Sequence, residues 1–190
     1  MGKSFVCDVL RELGCHVLDA DRTAREVVAK GSAGLAEIVE AFGTSVLTND
    51  GELDRKKMAA IVFADPAKRS LLNSIVHPKV IAVQDEWVRE QESLDPSGIA
   101  IIDAALMIES GGYRRFNRLI VVWCEDGIQL QRLMLRDSLS LAEAQERIAA
   151  QLPQEEKKKF ADYLIDTSGG FESTRHQVEL LVGELRSLVT

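Results

Sequence analysis

The sequence lacks the features that mark several classes of protein. None of its uninterrupted apolar runs approaches the roughly 20 residues that span a bilayer, and the longest, such as residues 119–124, have the length of buried strands. There are three cysteines, an odd number with no C-x-x-C pair, which argues against a disulfide framework, and we expect reduced, buried thiols. No apolar segment typical of a secretory signal follows Met1. We therefore expect a cytoplasmic protein that does not enter the membrane.

Aromatic residues and positive charge are also scarce. Aromatics make up 5% of the 190 residues, and the net charge is −7. No stripe of lysine and arginine interleaved with aromatics is present, which argues against general binding of nucleic acid through its phosphate backbone. Charged residues at 28% and hydrophobic residues at 46% are typical of a globular domain. An anion could still bind such an acidic protein, but only in a locally positive pocket.

Short apolar runs alternate with segments of helical periodicity. Four runs predict strands, at residues 15–19, 99–103, 119–124 and 163–166. The second is apolar up to its final Asp103 and the third is apolar throughout, which favours strands buried on both faces of a parallel sheet. We predict an α/β fold with a doubly wound sheet. Within the helical region before residue 95, we expect Pro78 to end or kink a helix.

Carboxylates follow three of the predicted strands. They are Asp19 and Asp21 after the first, Asp103 at the end of the second and Asp166 at the end of the last. Ligands of doubly wound sheets bind at the carboxyl ends of the strands. The placement of these acids therefore predicts one site.

The tripeptide Gly2-Lys3-Ser4 opens the first predicted helix. It matches the last part of the phosphate-binding loop G-x-x-x-x-G-K-[ST], in which the lysine reaches the β- and γ-phosphates and the serine hydroxyl binds Mg²⁺. The alternative is an ordinary lysine and serine in the first turn of a helix.

The context of this tripeptide points to a family. The helix returns to a strand that ends in Asp19-Ala20-Asp21-Arg22, with Arg25 one turn later. This arrangement resembles dephospho-CoA kinases, in which G-K-S, a helix and D-A-D-x-x-A-R occur at this spacing. Further segments resemble the family over nearly the whole chain: residues 61–63, 72–78, 106–113, 131–137, 150–151 and 161–169.

The resemblance implies a fold and an activity. The fold is that of a P-loop kinase, with a core of residues 1–30 and 97–190, a helical substrate-binding insertion at 31–96 and a helical lid at 126–160. The activity is transfer of the γ-phosphoryl of ATP, with Mg²⁺, to the ribose 3′-hydroxyl of dephospho-coenzyme A, giving coenzyme A and ADP. Two alternatives stay open: another small-molecule P-loop kinase, and a non-catalytic, decayed kinase that binds a coenzyme A precursor or a partner chain.

The family match also implies roles for single residues on the acceptor side. Asp21 matches the catalytic carboxylate and would accept the proton of the attacking hydroxyl; the alternative is an N-cap of the following helix. Arg25 would pair with Asp21 or with substrate, or serve as a helical i,i+4 partner. His77 matches a position near the acceptor, with a helix-end cap as the alternative.

On the nucleotide side, Gly2, Lys3 and Ser4 would bind phosphate, and Ser4 and Asp103 would serve Mg²⁺. The alternative to a Mg²⁺ role for Asp103 is that its carboxylate caps backbone N–H groups at the end of the strand. Arg136 is the leading lid arginine, with a solvated salt bridge as its alternative; Arg132 and Arg147 are weaker candidates. Residues 157–159 are three lysines, which we expect to form a solvated face.

The start of the chain departs from the family pattern. Family members have a β-strand and the glycine-rich half of the loop before this G-K-S, whereas only Met1 precedes Gly2. We therefore expect these 190 residues to be an N-terminally shortened form of an active enzyme, with the first, central strand missing. Its loss would leave strand edges unpaired, which puts the activity of this shortened chain in doubt. The sequence makes no prediction of oligomeric state.

Overall fold

The computed structural model describes residues 1–188, which form two compact units. The first unit contains Met1–Val17, Ser97–Ile101 and the chain from Ala105 onward. The second unit contains Leu18–Pro96 and Ile102–Ala104. Each is described below by itself.

The elements follow one another in an order typical of α/β proteins. The α-helices are α1 Lys3–Glu12, α2 Ala20–Glu26, α3 Ala33–Phe42, α4 Arg55–Ala64, α5 Pro66–Leu94, α6 Asp126–Asp137, α7 Leu141–Ala149, α8 Gln154–Lys158 and α9 Gly170–Ser187. The strands are β1 His16–Asp19, β2 Ala100–Asp103, β3 Ile120–Trp123 and β4 Tyr163–Asp166. Short 3-10 helices lie at Thr44–Val46 and Gly112–Arg115.

The four strands form two pairs. β1 lies beside β2, and β3 pairs in parallel with β4, with Ile120 opposite Tyr163 and Trp123 opposite Asp166. The α/β class and the four strand positions predicted from the sequence are therefore confirmed. The prediction that the second and third strands are buried on both faces is wrong. Ala100 of β2 is exposed, and in β3 only Val121 is fully buried. Within residues 1–188 each strand has one strand neighbour, so its other edge is left uncovered by a strand.

The core of the first unit lies between α1, α9 and the neighbouring strands. Apolar residues of α1 at helical spacing pack against the buried stripe of α9 and against Ile165 of β4. The fully or nearly fully buried members are Val6, Val9, Leu10, Cys15, Ile165, Val178, Leu181, Val182 and Leu185. This packing fixes the first turn of α1, where Gly2, Lys3 and Ser4 lie.

The second unit is built around α5, which packs against α2, α3 and α4. Pro78 was predicted to end or kink a helix. It does not end one, because the 29-residue helix α5 runs unbroken through it. Proline removes one backbone hydrogen bond. Leu72, Ile75 and Val76, in the turns before it, pack on the second unit's core, and this burial holds the helix together across the missing bond. Asp65 caps α5 by accepting from the N–H groups of Ala67 and Lys68.

Gly34, in the first turn of α3, is held very close to a neighbouring backbone. A Cβ at this position would overlap the carbonyl oxygen of Val27 and press on the Lys79 side chain. Only glycine allows α3 to approach the end of α2 so closely.

The three lysines at 157–159 do not form one solvated face. Lys157 is buried, and its Nζ lies 2.8 Å from Oε1 of Glu109. Lys158 stacks over the ring of Trp123 at 3.4 Å, and Lys159 forms an exposed pair with a glutamate. The predicted solvated face is therefore wrong for Lys157, because a partner far away in the sequence draws it inward.

Candidate functional site

The start of α1 is shaped by a glycine. Gly2 is the N-cap and has a left-handed backbone with φ of 82°, a conformation that strains any residue with a side chain. A Cβ at Gly2 would also lie 3.2 Å from the side chain of Thr167. No side chain caps α1, so the N–H groups of its first turn keep the capacity to bind an anion.

The residues after Gly2 begin α1 as the motif predicts. Lys3 is partly buried and is the first residue of the helix, and Ser4 follows it with an exposed side chain. The structure thus places Gly2, Lys3 and Ser4 together at one helix N-terminus, where the positive end of the helix dipole favours negative ligands.

Arg132 of α6 is fixed beside this N-terminus. Its Nη1 donates to Oγ1 of Thr167 at 2.9 Å, and its Nη2 donates to the Thr167 carbonyl oxygen at 3.0 Å. The Thr167 hydroxyl in turn donates to the carbonyl oxygen of Met1 at 2.8 Å. A cavity of about 230 Å³ opens here, lined by Gly2, Phe5, Arg132, Thr167, Gly170, Phe171 and Thr174. Arg132, a weaker candidate by sequence, is therefore the arginine that shares a cavity with Gly2.

Arg136, one turn further along α6, is engaged differently. Its guanidinium forms two hydrogen bonds with the carboxylate of Asp137, at 2.8 and 2.9 Å, and is largely exposed. Arg147 of α7 donates to the same carboxylate at 2.6 Å. The hydrogen bonds from Arg136, and to a smaller extent the charge of Arg147, hold the pKa of Asp137 below its usual range. Arg136 thus forms a salt bridge, which was the alternative to its role as a lid arginine.

Both α6 arginines act electrostatically on the start of the chain. Burial lowers the pKa of the Met1 α-amino group, Cys124 opposes this effect, and the charges of Arg132 and Arg136 lower the pKa further.

In the second unit, the carboxylates after β1 divide their roles. Asp19 is the N-cap of α2: its Oδ1 accepts from the N–H of Asp21 at 2.9 Å and of Arg22 at 3.0 Å. The alternative that Asp21 serves as this cap is therefore wrong. Asp21 lies in the first turn of α2, exposed, so its carboxylate is accessible to a ligand.

The other acceptor-side candidates lie in the same unit. Within residues 1–188, no ion pair joins Arg25 to Asp21, and the i,i+4 pair of α2 is formed by Arg22 and Glu26 at 2.7 Å. His77 is exposed in the interior of α5, so the alternative of a helix-end cap is wrong. α2 packs against α5, so Asp21, Arg25 and His77 lie on two adjoining helices.

Asp103 ends β2, as predicted, and is partly buried. In the described part of the chain, no group of three or more His, Cys, Asp or Glu side chains is arranged to hold a metal ion. Mg²⁺ in nucleotide sites needs only one or two protein oxygens, since phosphates and waters complete its shell. The exposed Ser4 hydroxyl fits that requirement.

Two further features concern the protein's setting. No helix among residues 1–188 is both long and apolar enough to cross a membrane. Among residues 1–188, Cys7, Cys15 and Cys124 are buried thiols outside any disulfide, as expected from the sequence, and burial raises the pKa of the Cys15 thiol.

Comparison with known proteins bears on these observations. The family model for dephospho-CoA kinase matches residues 1–173. A dephospho-CoA kinase from Geobacillus kaustophilus (strain HTA426) is 44% identical over 179 residues, covering 93% of this chain and 88% of that protein. A solved structure from Thermus thermophilus superimposes with a TM-score of 0.80 at 29% identity, over 97% of this chain and 92% of that one. A dephospho-CoA kinase structure from Campylobacter jejuni gives a TM-score of 0.70 at 27% identity, over 100% and 94%. The chain belongs to the dephospho-CoA kinase family.

Proposed function

We propose that the protein transfers the γ-phosphoryl group of ATP to the ribose 3′-hydroxyl of dephospho-coenzyme A, forming coenzyme A and ADP. One observation carries the proposal: in a member of this family, a glycine-capped helix N-terminus lies beside a fixed arginine and a cavity. Phosphoryl transfer is promoted chiefly by positioning and by neutralising charge, which is what such a site supplies.

The first unit would hold the nucleotide. The N–H groups at the start of α1 and the Lys3 ammonium would bind phosphate oxygens. Arg132 is already held by Thr167 and would add a fixed positive charge. Arg136 would leave Asp137 to meet the transferring group, where a planar fork of donors suits developing negative charge.

Ser4 and Asp103 would hold Mg²⁺ together with the phosphates. When bound, the ion neutralises charge on the β- and γ-phosphates during transfer. The Ser4 hydroxyl would bind directly, and the Asp103 carboxylate directly or through water.

The second unit would supply the acceptor groups. Asp21 would accept the proton of the 3′-hydroxyl as it attacks phosphorus. Its carboxylate is exposed and is relieved of helix capping by Asp19, so it is available for this role. Arg25 and His77, on the adjoining helices α2 and α5, would contact dephospho-coenzyme A.

The three buried, reduced cysteines support a reducing, cytoplasmic setting for this reaction. A loss of activity with retained binding of dephospho-coenzyme A would instead support the alternative of a non-catalytic, decayed kinase.

The experiment is an assay of ADP release by the protein with ATP, Mg²⁺ and a panel of acceptors. We expect turnover with dephospho-coenzyme A and little with nucleoside monophosphates. Asp21→Asn should lower kcat by about 100-fold or more, the usual contribution of a general base. Asp50→Asn, an exposed turn residue of the same unit, serves as the matched control and should keep wild-type kcat. Near-normal turnover by Asp21→Asn would refute the role of Asp21 as general base. A preference for another acceptor would refute dephospho-coenzyme A as the substrate.

A further inference from the structure

The side-chain amide of Gln154 joins the start of α8 to the chain segment that leaves β3 and enters α6. Its Oε1 accepts from the N–H of Cys124 at 3.1 Å, and its Nε2 donates to the Cys124 carbonyl oxygen at 3.0 Å. Nε2 also lies 2.7 Å from Oε1 of Gln129 and 3.1 Å from Oδ1 of Asp126, so one of its two N–H groups is shared between two acceptors. The amide therefore pairs with the backbone just after β3 as a neighbouring strand would, and binds the first turn of α6 as well.

These contacts lie at the two ends of one helical segment. α6 begins at Asp126, directly after the exit of β3, and α8 begins at Gln154. Between them lie the rest of α6 and α7. The Gln154 side chain thus connects α8, the last helix of this segment, to α6, its first.

The connected face of α6 is the face that carries the arginines. Gln129, Arg132 and Arg136 are spaced three and four residues apart, so they form one stripe along α6. Fixing Gln129 from Gln154 therefore fixes the rotation of α6 about its axis. That rotation decides whether Arg132 reaches Thr167 and the cavity beside Gly2.

We propose that Gln154 is a positioning residue for nucleotide binding: it holds the base of α6 so that Arg132 and Arg136 face the phosphate site. The inference rests on the proposed function, since it takes the ligand of those arginines to be the ATP phosphates. Gln154 itself touches neither substrate nor the reacting atoms.

The test is Gln154→Ala, measured by the Kd of a fluorescent ATP analogue and by the KM values of both substrates. We expect the nucleotide Kd and the KM for ATP to rise about fivefold or more, the equivalent of one net hydrogen bond. The KM for dephospho-coenzyme A should stay within about twofold of wild type, since the acceptor groups lie on other elements. A general loss of stability would not produce this split between the two substrates.

The matched control is Asp162→Ala. Asp162 also binds backbone beside β3, accepting from the N–H of Leu119 at 2.7 Å, but at the opposite end of that strand. We expect it to lower thermal stability while leaving both KM values unchanged. Equal nucleotide Kd values for the two variants, or a wild-type Kd for Gln154→Ala, would overturn the proposal.

A second variant covers the case in which Gln154→Ala does not fold. Gln129→Ala removes the shorter of the two contacts to α6, and it leaves the bond to Asp126 and the pairing with Cys124 in place. It should raise the nucleotide Kd about twofold or more, and an unchanged Kd would overturn the proposal. If wild-type protein binds the ATP analogue but does not phosphorylate dephospho-coenzyme A, only the proposed function fails. If it binds no nucleotide, both fail.

Discussion

Replacing Lys157 by methionine tests the most deeply buried charge in the described chain. The Lys157 side chain is 8% exposed, its Nζ lies 2.8 Å from Glu109 Oε1, and the Glu109 side chain is 24% exposed. Methionine keeps most of the buried stem but leaves the Glu109 carboxylate without its cation. Breaking a fully buried pair costs about 3–5 kcal/mol. Because Glu109 retains some contact with water, we expect a loss of about 2–4 kcal/mol in the free energy of unfolding.

Urea denaturation followed by far-UV circular dichroism measures this loss, and Tm should fall by roughly 2–4 °C for each kcal/mol in a chain of this size. The matched control is Lys159→Met in the segment directly after α8. Lys159 is 2.6 Å from Glu156, but the two side chains are 66% and 48% exposed. Such a pair contributes less than about 1 kcal/mol. If the two variants lose the same stability, burial does not set the strength of the Lys157 pair and the reasoning fails.

The same pair predicts a dependence on pH. Burial alone would raise the pKa of Glu109, but hydrogen bonds from Lys157 and from backbone N–H groups outweigh it and hold the pKa below its usual value. Since the folded pKa is the lower one, this stabilisation is complete above the unfolded pKa of about 4.3 and is lost as pH falls through the folded pKa. In Lys157→Met the loss of stability between pH 6 and pH 3 should be shallower than in wild type.

Two further predictions concern other parts of the molecule. Gly34→Ala should lower the free energy of unfolding by about 1–3 kcal/mol, because the added methyl group meets the Val27 carbonyl oxygen; unchanged stability in a denaturation curve would contradict this close approach. Asp137→Asn should lower the KM for ATP by about twofold or more, because the Asp137 carboxylate no longer competes with phosphate for Arg136 and Arg147. A raised KM in steady-state assays would show that Asp137 instead positions these arginines.

Local patterns were sufficient to predict much of the fold. The bounds of β4 match the predicted 163–166, and the Asp65-Pro66 start of α5 follows from capping chemistry alone. The continuation of α5 through Pro78 could not be predicted this way. It depends on contacts of α5 with α2, α3 and α4, which the sequence around Pro78 does not contain.

The candidate site shows the same division. Gly2-Lys3-Ser4 is a local motif, and the structure places it at a helix N-terminus as predicted. The anchoring of Arg132 depends on Thr167, which lies in a distant part of the chain, so its position beside Gly2 was not predictable from a motif. One signal was available for Gln154: with Pro153 it opens a helix at the end of the predicted lid, where a polar side chain can bind the neighbouring backbone.

The net charge of −7 and the proposed phosphate site are compatible because the two act over different distances. At physiological salt, exposed charges further apart than about 8 Å are largely screened. What a phosphate experiences at the start of α1 is therefore set by its immediate surroundings: uncapped N–H groups, Lys3 and the arginines of α6. Because of this screening, remote acidic residues repel a bound phosphate only weakly. A direct guanidinium–phosphate hydrogen bond is strengthened by the charges of both groups. The placement of Arg132 and Arg136, more than the overall composition, decides whether this acidic protein holds an anion.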